Sequence, residues 1–450
     1  MSFRKISWTV AGYLQKHRKI LLIGGVIGII FFTNLQRILN FIPKPKPIYY
    51  IGRIIAGPGN QLPSDIQQLV SSGLTSVDEA GNISSALAQS WTISDDGKTY
   101  SFTLDTTKRF QNDQPVLSTD INYNFKDVEI ERPSDNQIVF HLPEPFAPFL
   151  AANTQPVLKT DKKRFLLFFK RTFLFGTKDY IITKLATKNN QLSSATLDSA
   201  DEKRIYRFYP TEEAAILAFK LGKVDRLEGI SNPKELKDWN QTSITSKTQL
   251  NQYVALFFNT ADPALADKSS RQGLAYAIPD KAQQGIRVIS PIHPESWAYN
   301  PQVKPYDYDS EAATELLTTQ EESAPKIAIE LTTTPTYLST AETIKTAWQE
   351  FGITVKLKIT NFPDPNNYQT LLIGQNVPPD PDQYSLWHST QGTNITHYQS
   401  PKVDKLLEDG RKTTDQDDRK KIYQDFQRFL LEDLPVVFLF HRSSYTVERE

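Results

Sequence analysis

Two carboxylates and two large aromatics, Asp380, Asp382, Tyr384 and Trp387, crowd one short stretch behind Pro378, Pro379 and Pro381. Acid beside ring on proline-stiffened backbone is the chemistry of cation recognition: the carboxylate gives charge-assisted hydrogen bonds and the ring face gives π density. A rigid loop can present such a row to a ligand, where a helix or strand would bury it. Paired acids also serve hydrolysis, although residues two apart on a proline-rich loop need not converge. His388 and Asn394 follow in the same stretch, and Asn259 lies upstream. Either amide can bond a ligand's peptide groups or cap a turn. Trp387 can cover a ligand or fill a core.

Other chemistries are excluded or disfavoured. There is no cysteine, hence no thiolate nucleophile, disulfide or Cys-bound metal. Six histidines without His-Glu-x-x-His spacing argue against a metal site. No Gly-x-Ser-x-Gly is present. Gly57 and Gly59 lack the third glycine of a dinucleotide fingerprint and read as a turn. No cofactor is expected. Lys+Arg and Asp+Glu are 51 each, so no basic field invites nucleic acid.

A chain of 450 residues exceeds one core and fits two or three domains. Ile20–Phe32 is an unbroken apolar run behind Arg4, Lys5, Lys16, Arg18 and Lys19. Leu35, Ile38, Leu39, Phe41 and Ile42 lengthen it toward the ~20 residues that a span needs. The basic flank puts the N-terminus in the cytoplasm. A cleaved signal peptide is the rival, but no small-x-small site follows the run. We therefore expect a basic tail at 1–19, a single-pass membrane anchor at 20–42 and a stiff proline spacer at 43–47, with the globular part outside the cell membrane.

Along that part, Trp91 and Ile93 alternate into an Asp95-Asp96-Gly97 turn, and Tyr100, Phe102 and Leu104 alternate out of it, predicting a hairpin. A second hairpin is expected at Val128–Ile130 and Ile138–Leu142. The apolar bursts Phe165–Phe169 and Phe173–Phe175 read as strands between two lobes. Tyr253–Thr260 reads as a buried strand. Lys326–Leu331, Ala341–Phe351 and Val355–Ile359 read as strand, helix and strand, hence a parallel pair. A helix is expected to start near Ser400-Pro401, and another spans about Asp415–Leu431 with Ile422, Phe426 and Phe429 on its buried stripe.

Several of these stretches resemble one family. They are Leu87–Leu104 with its Trp91 and Asp-Gly turn, Phe257-Phe258-Asn259-Thr260, Arg271–Ile278, Pro301–Leu317, the Tyr398-x-x-Pro401-x-Val403-Asp404-x-Leu406-Leu407 pattern, and Asp433-Leu434-Pro435. In order and spacing they resemble the extracytoplasmic oligopeptide- and dipeptide-binding proteins of ABC importers, family 5. The chain departs from the family in lacking a lipobox cysteine, in its short segment after Phe125, and in Gly273, where relatives carry Ala.

The resemblance implies an α/β, two-lobed, periplasmic-binding-protein type II-like fold with mixed sheets and an interlobe cleft. The first lobe would span 48–250, with a trimmed subdomain at about 60–160. The second would span 251–430, with 431–450 returning to the first and a crossover near 245–255. It also implies a monomeric, non-enzymatic binding protein that traps an oligopeptide and hands it to an ABC permease with ATPase subunits. Relatives pair the peptide ammonium with an Asp in an aromatic-Asp-x-x-Pro neighbourhood, and here Asp380 and Asp382 both stand as candidates. A surface peptide receptor or chaperone-like holder, or a carboxylate-dependent hydrolase, are the alternatives.

Overall fold

The computed structural model describes residues 13–19, 23–24, 32–33, 46–55, 61–165, 169–283, 285–318 and 328–450. Most of the Ile20–Phe32 run and the turn at 57–59 lie outside the described residues. Among the described residues no helix is long and apolar enough to cross a membrane. Tyr49–Glu450 forms one unit and Met1–Ile48 another.

All strands belong to the larger unit, save the first residue of β1. They are β1 (Ile48–Ile54), β2 (Thr75–Val77), β3 (Ile83–Ser85), β4 (Ala88–Ile93), β5 (Thr99–Leu104), β6 (Glu129–Ser134), β7 (Gln137–His141), β8 (Lys159–Phe165), β9 (Phe169–Phe175), β10 (Ile181–Lys188), β11 (Gln191–Asp198), β12 (Lys203–Tyr209), β13 (Arg226–Ile230), β14 (Thr242–Phe258), β15 (Gly285–Arg287), β16 (Ala328–Thr333), β17 (Thr354–Ile359), β18 (Thr370–Asn376) and β19 (Val436–Arg449). Its longer helices are α1 (Ser64–Val70), α2 (Glu212–Lys220), α3 (Lys268–Tyr276), α4 (Ser310–Thr318), α5 (Leu338–Glu350), α6 (Pro401–Lys412) and α7 (Gln416–Asp433).

One mixed sheet runs β17-β16-β18-β14-β19-β13-β1-β12-β11-β10-β9-β8, with β15 added beside β19. Its continuity depends on β14 and β19, which pair antiparallel from Thr242↔Arg449 to Phe257↔Val436. At one end they bury Tyr253–Phe258 and Val436–Phe440 in a core built wholly from residues 253–440. At the other, Ile244, Tyr445 and Val447 pack with α2 and β13. These two strands run from one core into the other. β19 also pairs antiparallel with β13.

The alternating hairpin forms as β4–β5, with Gly97 at φ +68 in its turn. With β6 and β7 it makes a separate four-stranded antiparallel sheet over a core of Tyr100, Phe102, Phe140 and Phe149. The β16–α5–β17 unit gives the expected parallel pair, and Trp348 of α5 is fully buried, its Nε1 donating to Leu274 O. Side-chain caps start α2, α6 and α7 at Thr211, Ser400 and Asp415. Gly273 has a packing reason: a Cβ there would sit 2.8 Å from Leu317 Cγ of α4. One expectation is corrected. β8 and β9 lie at the far edge of the large sheet, because β14 and β19 already occupy the crossing.

Candidate functional site: a cleft at the strand crossing

Where β14 and β19 cross, their ladder is interrupted. Thr248 pairs with Ser443, and the next pair is Tyr253 with His441, so Gln249–Gln252 stand opposite Arg442 alone. Residues displaced from a ladder keep backbone groups to offer. The bulge wall adjoins the start of the proline loop, because Val377 N donates to Asn251 O. Together they line a cavity of about 440 Å3, whose other walls are Gln68, Val77, Asp78, Glu79, His293, Lys247 and Ser444.

A second cavity of about 200 Å3 lies beside it, lined by Ile83, Trp91, Ile93, Leu150, Trp297, Asp380 and Arg419 among others. Glu79 and Pro379 line the first, and Gly81 and Trp297 the second. Trp297 donates from its N to Ala80 O at 3.0 Å and from Nε1 to Gly81 O at 3.2 Å. Gly81 has φ +83, and a Cβ on it would lie 3.0 Å from Pro379 O. The Asp78–Asn82 turn is closed by the Asp78 carboxylate, which accepts from Asn82 N and Nδ2. Those bonds hold Asp78 below the usual carboxylate range.

The acidic proline loop borders both cavities, Pro378 and Pro379 on the first and Asp380 on the second. Its acids, however, have partners within the chain. Asp380 is buried and takes both guanidinium nitrogens of Arg419, at 2.8 and 3.1 Å. Asp382 accepts from Arg411 Nε at 2.9 Å and from Tyr384 N at 3.0 Å. Arg411 lies between the Tyr384 and Phe146 rings. The two acids therefore staple the loop to α6 and α7.

The remaining residues named from sequence are also engaged. Trp387 is fully buried against Phe257 and Phe438, which is the core reading. Tyr384 stacks on His388, itself buried and bonded to Thr390. Asn394 donates to Tyr398 O, and Asn259 donates to Tyr368 O. Of the seven, Asp380 alone borders either of these two cavities. Sequence reasoning passed over Glu79, Lys247, Gln249, Asn251, His293 and Trp297. The Pro-flanked His293 was the one local signal, and the rest are ordinary polar residues of strands and turns.

Two histidines sit at the crossing. His293 Nδ1 and His441 Nε2 are buried without a hydrogen-bond partner, while His441 Nδ1 donates to Gln252 O at 2.8 Å. Burial, and then His441, pulls the His293 imidazole below the usual histidine range. Burial pulls His441 down against the opposing bond to Gln252. The unfolded chain therefore takes up these protons first, at about pH 6.5, and stability is lost as pH falls below that value. His441→Asn should flatten that loss. Urea midpoints from about pH 7 to about pH 5 check it, and an unchanged slope would remove His441 from the response.

Known proteins share this chain's family and fold. Residues 82–397 match the model of the bacterial extracellular solute-binding proteins, family 5, middle region. The dipeptide-binding protein of Escherichia coli (strain K12) is 22% identical over 442 residues, covering 81% of this chain and 82% of its own. The oligopeptide-binding protein AppA of Bacillus subtilis, solved with a nonapeptide, superposes with a TM-score of 0.67 at 20% identity, over 90% of this chain and 94% of that one. NikZ of Campylobacter jejuni, solved with Ni(L-His), superposes with a TM-score of 0.70 at 24% identity, over 90% and 94%. The fold is that two-lobed one.

Proposed function

We propose, for a chain that belongs to the bacterial extracellular solute-binding proteins of family 5, that it captures short peptides between its lobes and delivers them to an ABC permease. The observation that carries this reading is the 440 Å3 cavity at the strand crossing. Its volume falls in the range of about 300–1,000 Å3 typical of ligand sites. Its lining is rich in uncharged hydrogen-bonding groups, Gln68, Thr248, Gln249, Asn251 and Ser444. Such groups suit the amides of a peptide main chain, whatever its side chains. The interrupted ladder is where the lobes would open and close, so that a guest shifts the closed form. The relatives' names support the peptide class, since the dipeptide-binding protein and AppA are named for it.

The N-terminal basic residues and the apolar run 20–42 would hold the protein to the cell membrane with the lobes outside, working as a monomer beside its permease and ATPase subunits. The acids of the loop 380–382 serve the loop's own shape. Hydrolysis has no further support, and a holder without transport would lack a neighbouring permease gene. The test is thermal. A pool of di- to pentapeptides at 100-fold above Kd should stabilise the protein by about 2.7 kcal/mol and raise its Tm. A flat melting temperature across the pool would overturn the reading.

A further inference from the structure

The hairpin of β8 and β9, at the far edge of the large sheet, carries chemistry that peptide capture does not use. At its root Lys159 Nζ lies 2.9 Å from an Asp120 carboxylate oxygen, and β10 meets β9 at Ile182↔Leu174. Past that rung β8 and β9 go on pairing with each other, through Asp161↔Phe173, Lys162↔Thr172, Lys163↔Arg171, Arg164↔Lys170 and Phe165↔Phe169. At ~3.3 Å per residue this extension is about 16 Å long. The chain as a whole is neutral, with 51 basic and 51 acidic residues, yet the sequence from Lys162 to Arg171 holds Lys162, Lys163, Arg164, Lys170 and Arg171 and no acid. Leu166, Leu167 and Phe168, which join the strands, lie outside the described residues.

The register sets like against like. Lys163 stands opposite Arg171 and Arg164 opposite Lys170, on alternate faces of the ribbon. Like charges directly opposite destabilise a strand pair. Lysine on an edge strand is a common guard against aggregation. A guard, however, needs neither cations on both strands nor the Phe165↔Phe169 pair beyond them. Cations on both faces behind an aromatic end suit a surface that is anionic outside and apolar beneath. A bilayer interface is such a surface: it takes apolar side chains at the headgroup boundary, and anionic lipid draws in each Lys or Arg by about fivefold. An acidic protein would answer the charges alone.

We infer that the β8–β9 hairpin docks on an anionic lipid surface, with Phe165 and Phe169 set into the headgroup layer. This goes beyond the peptide reading and rests on no part of it. The anchor proposed above would keep a bilayer within reach, and the two membrane contacts are separable by experiment.

The chain has no cysteine, so Phe169→Cys carries a single label. The full-length variant, bearing an environment-sensitive fluorophore, is placed in nanodiscs of phosphatidylcholine alone or with about one third phosphatidylglycerol. Quenching by neutral acrylamide reads the exposed fraction. The label should be protected in the anionic discs, exposed in the others, and released by about 1 M salt. Adding Lys163→Gln and Arg171→Gln should lower the ratio of protected to exposed label about 25-fold, fivefold per cation. A label at Phe362→Cys, 89% exposed beyond β17 at the opposite end of the sheet, should stay exposed throughout. Unchanged melting temperatures set a folding defect aside. Retention in the disc reads the anchor by itself; a chain that is not retained is mixed with excess vesicles of the same lipids and read in the same way. A label exposed in anionic lipid, protection indifferent to the two charges, or equal protection at 362 would overturn the docking. Protection in native membranes but not in protein-free lipid would assign the hairpin to a protein partner and overturn it too.

Discussion

Arg419→Met should lower the unfolding free energy by about 3–5 kcal/mol. Arg419 and Asp380 are each buried, and their two hydrogen bonds are joined by Arg419 Nε donating to Gly410 O and by a bond to Tyr423 OH. The guanidinium also faces the Trp297 and Tyr423 rings at 5.5 and 5.4 Å. Removing it strands a carboxylate with little water to solvate it, and that uncompensated charge causes the loss. The double variant Arg419→Met with Asp380→Leu should recover most of it, because a buried pair contributes little over apolar side chains of like volume. Urea unfolding of wild type, single and double variants measures this. A single variant within about 1 kcal/mol of wild type would show that the pair is hydrated, as most exposed pairs are. Asp380 would then be available to a ligand after all.

Lys281→Met should act in the opposite direction and stabilise the protein at neutral and acid pH. Lys281 is 4% exposed, and its Nζ donates to Ile278 O at 2.7 Å. Burial, and then the neighbouring Arg287 charge, pulls its ammonium down to about 7. The unfolded chain holds this proton up to about pH 10.4, so between about 7 and 10.4 it binds more protons than the folded chain, and wild-type stability rises with pH across that window. Below it the folded protein carries a buried cation. At about 1.4 kcal/mol per pH unit the full cost is up to about 5 kcal/mol, and methionine removes it. Stability measured at about pH 6 and again at about pH 10 should show the variant ahead at the first and the gap narrowed at the second. A gap that does not change with pH would mean the gain comes from packing alone.

Local pattern carried much of the fold into view. Strict alternation at Trp91–Leu104 has one meaning for a half-buried strand, and the structure forms that hairpin. The apolar block Tyr253–Phe258 is buried as its composition demands. Asp415 caps α7 as its position before the apolar stripe implies. The candidate site was less legible, for a reason of distance along the chain. Asp382 and Asp380 look free until Arg411 and Arg419 are seen folded onto them from two helices, 29 and 39 residues away. Glu79 and Lys247 meet across 168 residues, and nothing near either announces the other. The bulge at Gln249–Gln252 is a register jump against β19, a strand nearly two hundred residues along the chain, which no window on a single strand contains. Trp387 carried two readings because a tryptophan beside polar residues suits a core or a ligand wall, and packing against Phe257 decided for the core.

The close approach at Gly81 ties the two cavities to each other. A Cβ at Gly81 would lie 3.0 Å from Pro379 O and 3.2 Å from Trp297 Nε1, so the turn, the proline loop and the indole approach this closely around a glycine. Trp297 holds the Asp78–Asn82 turn by two hydrogen bonds, and its side chain lines the cavity that Asp380 and Arg419 also line. A larger residue at position 81 would have to push back the proline loop or the indole, and so reshape the linings of both cavities at once.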